Sequence, residues 1–333
     1  MNFEIFDPCR DAEPEDWEAF RKAEGLTALW AYDVIAAASR DSWAPPLLAV
    51  AREAGAIVGA VGAVYLGLRL PGSARAPRPR REPIVLDVRL PAHSYGPTWH
   101  FRTGVPVREA LRLFERAAAK ELGWGLAGVT YRMLTEPEHV ARRGAILRDS
   151  PGGTMMPIRW SSVDGWLGSL DKKRRSELRR RSRRIAEEVA VTAAWARTDL
   201  DAAEMAEMNR KHTERLAVRH DPRSPLPPDY FASLLGRDDV YVISYRDEGR
   251  LLAYSIVFDH ETSPLHGTWA ALRPEEGGRR HLYFDAYLQA LRRVTEDGKK
   301  ELHGGRGVVD IKQELGFGYV PMSFAAVPRW SMG

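Results

Sequence analysis

The feature that most restricts the fold is a repeat. Residues 47–52 and 57–68 read as two strands around the turn Glu53-Ala54-Gly55, and the same design returns at 240–245 and 251–259 around Asp247-Glu248-Gly249. In both, a glycine closes the turn. Each hairpin is followed by a helix, a strand and a second helix, at 108–122, 126–131 and 138–146 in the first half and at 281–294, 300–303 and 309–315 in the second. The helical spacing is clearest in Phe284, Leu288, Leu291 and Val294, which recur at three- and four-residue steps and give one buried face. Two copies of one α/β unit are therefore expected in tandem, each a mixed central sheet flanked by helices. Two further helices, 16–24 and 26–40, precede the first hairpin.

The 333 residues suit two domains of ordinary size. A hydrophobic fraction of 44% beside 28% charged residues is that of a globular chain. The net charge is only +4, so strongly basic character has to be local. Cys9 is the sole cysteine, which excludes an internal disulfide and any cysteine-cluster metal site. The nine histidines show no ligand spacing, and no catalytic metal is expected. There is no Gly-x-Ser-x-Gly elbow and no Walker loop. The start of the chain lacks the apolar core of a signal peptide, and 56–70 is too short and glycine-rich to span a bilayer, so the expected location is cytoplasmic.

The copies differ. The first carries a proline- and arginine-rich insertion, 71–81, and its last helix lacks a closing Gly-Phe pair. The second ends in His303-Gly304-Gly305-Arg306-Gly307-Val308-Val309-Asp310-Ile311-Lys312-Gln313-Glu314-Leu315-Gly316-Phe317, a strand end, a glycine-rich turn and a short helix stopped by Gly316. The chemistry is expected there. The expected organisation is a first unit over 1–165 for binding or support, a basic connecting helix over 166–188, and a catalytic unit over 189–333.

Nine of the thirteen residues from 172 to 184 are basic and one is acidic, with Asp171 placed to cap the helix they form. Such density repels itself, and an anionic partner would relieve it. A solvated connector would carry the same composition. The loop Arg273-Pro274-Glu275-Glu276-Gly277-Gly278-Arg279-Arg280-His281 leads from a strand to a helix start, where backbone N–H groups and the positive end of the helix dipole favour an anion.

That hairpin, loop, helix and closing Leu315-Gly316-Phe317 resemble the GNAT acyltransferase fold, and the tandem arrangement with a charged helix resembles the Fem-type branch. The resemblance implies transfer of an acyl or aminoacyl group from a thioester or a tRNA ester to an amine. The GNAT loop usually reads Arg/Gln-x-x-Gly-x-Gly/Ala, whereas here Arg273 is followed by three residues and then Gly277-Gly278, a departure that weighs against ordinary coenzyme A binding. Arg279, Arg280 and His281, with Lys172, Lys173, Arg175 and Arg179, are the expected contacts to donor phosphates. Lys312 matches the functional lysine of the Fem family's last helix region, with isoleucine replacing the phenylalanine before it, and is expected to hold the donor ester or its oxyanion. His303 could take the amine's proton, Arg306 an acceptor carboxylate or phosphate, and Asp310 and Asp285 could orient an ammonium. Tyr254 and Trp269 are candidates for lining the cleft, and a proline-rich loop, 221–228, for covering it.

The resulting expectation is a Fem-like aminoacyltransferase with no bound cofactor, aminoacyl-tRNA as co-substrate and tRNA as partner. Its acceptor is an amine of a peptidoglycan precursor or a small secondary metabolite. The alternatives are an acyl-coenzyme A N-acyltransferase and a non-catalytic nucleic-acid-binding protein. The oligomeric state is left open.

Overall fold

The computed structural model describes residues 1–39, 44–67, 84–216 and 225–332. The chain forms two compact units, Met1–Gly153 with Tyr319–Gly333, and Thr154–Gly318. The first begins with β1 (Asn2–Phe6), α1 (Trp17–Ala23), a 3-10 turn (Ala28–Trp30) and α2 (Tyr32–Ser39). It continues with β2 (Pro46–Glu53), β3 (Ala56–Gly67), β4 (Ile84–Val88), β5 (Trp99–Phe101), α3 (Val107–Leu122) and β6 (Leu126–Leu134). Strand β7 (Ile146–Pro157) carries the chain into the second unit. That unit holds α4 (Val163–Ser169), α5 (Lys172–Glu188), β8 (Ala190–Trp195), α6 (Ala202–Leu216), α7 (Pro228–Leu235), β9 (Val240–Asp247) and β10 (Arg250–Phe258). It is completed by β11 (Leu265–Ala271), α8 (Leu282–Glu296), β12 (Glu301–Gly305) and α9 (Val309–Glu314). The last strand, β13 (Gly318–Pro328), belongs almost wholly to the first unit.

In the first unit the strand order is β1-β2-β3-β4-β6-β13, with β5 also on β3, and β4 and β6 run parallel. In the second it is the end of β7, then β12-β11-β10-β9-β8, with β11 and β12 parallel. Both units are thus mixed sheets. Strand β2 shows why the sheet of the first unit is covered on both faces. Alternate residues point to opposite sides, so Leu47 and Ala49 join α3 residues Leu111 and Phe114 while Leu48 and Val50 join Trp17 and Trp30. Each such leucine or valine contributes about 1.5–3 kcal/mol by burial. The second unit packs Leu282, Leu288, Leu291 and Val294 of α8 against Ile243, Leu252 and Leu302 of the sheet.

Several expectations change. Residues 26–40 are a 3-10 turn followed by α2, with Arg40 outside the described residues. The helix expected over 138–146 is a single 3-10 turn, Pro137–His139, and Gly144 at φ 89 then leads directly into β7. The insertion 71–81 lies outside the described residues, as do 221–224 of the proline-rich loop; of that loop's remainder, Pro228 begins α7. The basic helix α5 is part of the second unit's core. Its Leu178 and Ile185 are buried there, and Ser182 Oγ donates to Asp285 of α8 at 2.8 Å. The division of the chain therefore falls after Gly153, ahead of α5, and the terminal strand leaves the second unit.

Candidate active site

The second unit opens between its two parallel strands. β11 pairs with β10 at five positions but with β12 only at Leu265↔His303. A bulge helps. Ser255 faces Trp269 and Val257 faces His266, so two residues of β11 stand opposite Ile256. The extra residue brings His266 and Trp269, three apart, to one face of the sheet. There they meet Tyr287 and Tyr283, one turn apart on α8: His266 stacks on Tyr287 at 4.1 Å, and Trp269 meets Tyr283 edge-on at 5.3 Å. Tyr287 also packs against Phe317 and points its hydroxyl at the Gly304 carbonyl, 3.4 Å away.

His266 is buried, with Ser255 Oγ 2.8 Å from Nε2. Burial, with the charge of Lys312 adding to it, pushes its pKa down to about 3, so the ring is neutral near pH 7. Nothing in the sequence pattern marks this histidine, because the bulge that turns it inward has no local signature.

Lys312 lies beyond this wall on α9 and is only 3% exposed. Its ammonium donates to the Gly307 carbonyl and has no carboxylate partner among the described residues. Burial lowers its pKa to about 8. An amine of this kind is protonated through most of the neutral range while lacking a counter-ion, the condition under which an ammonium attracts a carbonyl oxygen or an anion. The turn that supplies the Gly307 carbonyl is strained. Val308, 55% exposed, has φ 51 and ψ 50, a left-handed conformation that costs a β-branched residue about 1–3 kcal/mol.

A second feature lies at the start of α8. The loop after β11 turns at Gly277 (φ 86) and passes so close to itself that a Cβ on Gly278 would lie 2.1 Å from the Leu272 carbonyl oxygen. It leaves Arg279, Arg280 and His281 facing α5 across a cleft of about 310 Å³, whose α5 wall is Arg180, Arg181, Arg184, Ile185 and Glu188. Arg181 pairs with Glu177, Arg184 with Glu188 and Arg279 with Asp247, whereas Arg180 and Arg280 have no acidic partner among the described residues. Partial burial, then the charges of Arg181 and Arg280, hold His281 below the ordinary histidine range. The cleft is cationic at a helix N-terminus, the arrangement that favours phosphate.

The remaining predicted residues have other places. On α5, Lys172, Lys173, Arg175 and Arg179 do not line the cleft; Arg175 donates to the Gly168 carbonyl and Arg179 pairs with Asp164. The helical period puts 180, 181 and 184 on the wall, and that spacing was the available signal. Asp285 is buried and accepts from Ser182, Tyr245 and Gln289, which makes it a pin between α5, β9 and α8. Tyr254 is a core residue whose hydroxyl donates to Met205. His303 is drawn into a cluster with Glu301 and His260, and burial lowers its pKa. Arg306 is half-buried in the turn before α9, and Asp310 is exposed on that helix. Among the described residues no group of three or more His, Cys, Asp or Glu is placed to hold a metal, and no helix is long and apolar enough to cross a membrane.

A parallel strand pair that parts, crossed by a helix whose start meets a glycine-containing cationic loop, defines the class as a GNAT acyltransferase fold. Residues 172–313 match the family described as Acetyltransferase (GNAT) domain. No curated protein sequence matches the chain. Among solved structures the chain resembles FemX, with a TM-score of 0.59 at 10% identity over 98% of each chain. It also resembles L-PGS from Bacillus licheniformis, with a TM-score of 0.57 at 12% identity over 94% of this chain and 91% of that one. A tandem GNAT protein from the clavulanic acid biosynthesis pathway superposes with a TM-score of 0.50 at 14% identity over 98% of each chain. Residues 172–313 thus match a GNAT domain, and the whole chain shares the fold of these tandem structures.

Proposed function

We propose that the second unit transfers an aminoacyl group from aminoacyl-tRNA to an amine of a peptidoglycan precursor or small metabolite. The observation that carries this reading is the cleft in which Arg180 and Arg280 stand without acidic partners among the described residues at the start of α8, in the same unit as an ammonium, Lys312, that also lacks one among them. Consecutive phosphates of an acceptor end suit the first, and the ester carbonyl suits the second. In the transfer, the amine nitrogen attacks the ester carbon, the carbon–oxygen bond to the ribose breaks, and that oxygen takes up a proton as the amide forms. Lys312 would hold the developing oxyanion. The aromatic wall of Trp269, Tyr283 and Tyr287 would exclude water from it.

An acyl-coenzyme A donor carries phosphates too, and the GNAT match over 172–313 favours it as the second reading. The two are separated by mass spectrometry of products formed with charged tRNA or with acyl thioesters, before and after ribonuclease. Loss of product on RNA digestion is the expected result; activity that survives complete digestion excludes the tRNA donor. If neither Lys312→Ala nor the wild type gives product in any transfer assay while both bind RNA, the binder reading is favoured; equal activity of the two removes Lys312 from the chemistry.

A further inference from the structure

We infer that Val308 is a positioning residue for Lys312, and that its left-handed turn makes the hold on the Lys312 amine releasable. Three glycines, Gly304, Gly305 and Gly307, lie within four residues, yet the left-handed position before α9 is filled by valine, a residue that resists it. The side chain cannot be justified by packing, since Val308 is among the most exposed large apolar residues of the chain. The turn is tied to Lys312 at two points. Lys312 Nζ binds the carbonyl of Gly307, and the Lys312 backbone N–H reaches the Val308 carbonyl at 3.3 Å.

The consequence is a two-state turn. While the Gly307 carbonyl is the one partner Nζ has among the described residues, leaving that bond would strand a buried ammonium, and the strain persists. When a substrate oxygen replaces that carbonyl, the turn is free to relax toward the ordinary right-handed region. The carbonyl then swings away and commits the amine to the substrate. Glycine or asparagine at 308 would sit in the left-handed region without strain, so the carbonyl would stay in competition for the amine. The titratable group facing Lys312 from the sheet is His266, which is neutral; Asp310 and Glu314 on its own helix are exposed, and Arg306 precedes it in the turn.

This rests on the role proposed for Lys312, and the primary test needs neither donor nor acceptor, so the two can fail separately. The full-length protein is treated with an acetylating N-hydroxysuccinimide ester across pH 6.5–10 (about the range in which a lysine amine titrates), and acetylation at Lys312 is followed by mass spectrometry. Val308→Gly and Val308→Asn are expected to slow Lys312 labelling by about fivefold, the factor matching the lower end of such strain, and to raise the melting temperature by about 2 °C or more. Val308→Ile, which keeps the strain, should label like the wild type. With a working transfer assay, Val308→Gly should lower kcat with little change in donor KM. Labelling of Val308→Gly and Val308→Asn at the wild-type rate, or no gain in melting temperature in either, overturns the proposal.

Discussion

The two units share one plan and treat their central strands in opposite ways. In the first, β4 and β6 stay paired at five positions, from Ile84↔Leu126 to Val88↔Tyr131. Near the end of that pair Asp87 is fully buried, accepting from Thr130 at 2.6 Å and from Arg132 at 2.7 Å. In the second, β11 and β12 pair once and part. The crossover helices repeat the contrast. Glu115 of α3 is buried against Tyr131 and neutralised by Arg142, both contacts at or near 2.5 Å. Asp285 of α8 is buried among hydroxyl and amide donors; of that unit's buried cations, Arg197 pairs with Asp199, while Lys312 has a carbonyl and no carboxylate partner among the described residues. The lesson is that the first unit uses its buried charges in matched pairs for structure, while the second, beside one such pair, keeps Lys312 buried without an acidic partner among the described residues.

The contrast can be broken most directly at the buried cations. Arg142→Met leaves Glu115 as an unpaired buried carboxylate and should destabilise the protein by about 3–5 kcal/mol in denaturant titration. Transfer by the fraction that remains folded should be unchanged. Lys312→Met should do the reverse, costing about 100-fold or more in turnover measured by product mass spectrometry. Equal effects of the two on turnover would erase the distinction between the units.

Stability against pH sharpens it. The Lys312 amine falls from an ordinary 10.5 to about 8 in the fold, so between those values the unfolded chain binds the extra proton and stability rises with pH. Below about pH 8 the full cost applies, roughly 3 kcal/mol before allowance for the Gly307 hydrogen bond. Lys312→Met should therefore be more stable than the wild type near pH 7, by a net 1–2 kcal/mol (an order-of-magnitude figure after about 1 kcal/mol for that bond). The gain should vanish by about pH 10.5. A gain that grows with pH would contradict this account.

The smallest effects concern the two faces of α5. Removing both Arg180 and Arg280 should weaken RNA binding by about tenfold and flatten its salt dependence, because each phosphate contact releases counterions. Removing Lys172 and Lys173, which stand away from the cleft, should weaken it by about twofold or less in the same titration. Equal losses would mean that the cleft is not the phosphate site.

Much of this was legible in the residues. Hairpins ending in Gly55 and Gly249 fall where read, because turn chemistry is local. The apolar face of α8, the Asp171 cap, which accepts from Arg174 at 2.9 Å, and the stop at Gly316 also follow from neighbours within a few residues. Residues 138–146 did not obey their pattern, since Pro137 and Gly144 bound the segment and its end is drawn into a strand. For the candidate site, Lys312 and the loop from 273 to 281 were visible as residues, but His266 and Ser255 were not, and the α5 residues that line the cleft are Arg180, Arg181 and Arg184 in place of the expected Lys172, Lys173, Arg175 and Arg179.

By itself the sequence determined a doubled α/β plan, the hairpins, the amphipathic helices and the concentration of arginine in α5, since each depends on spacing along one strand or helix. Only the tertiary structure decided which strand pair opens, which face of α5 meets the loop, and that β13 returns to the first unit. Those outcomes depend on partners far apart in the chain, and a bulge of one residue in β11 is enough to exchange the faces on which they meet.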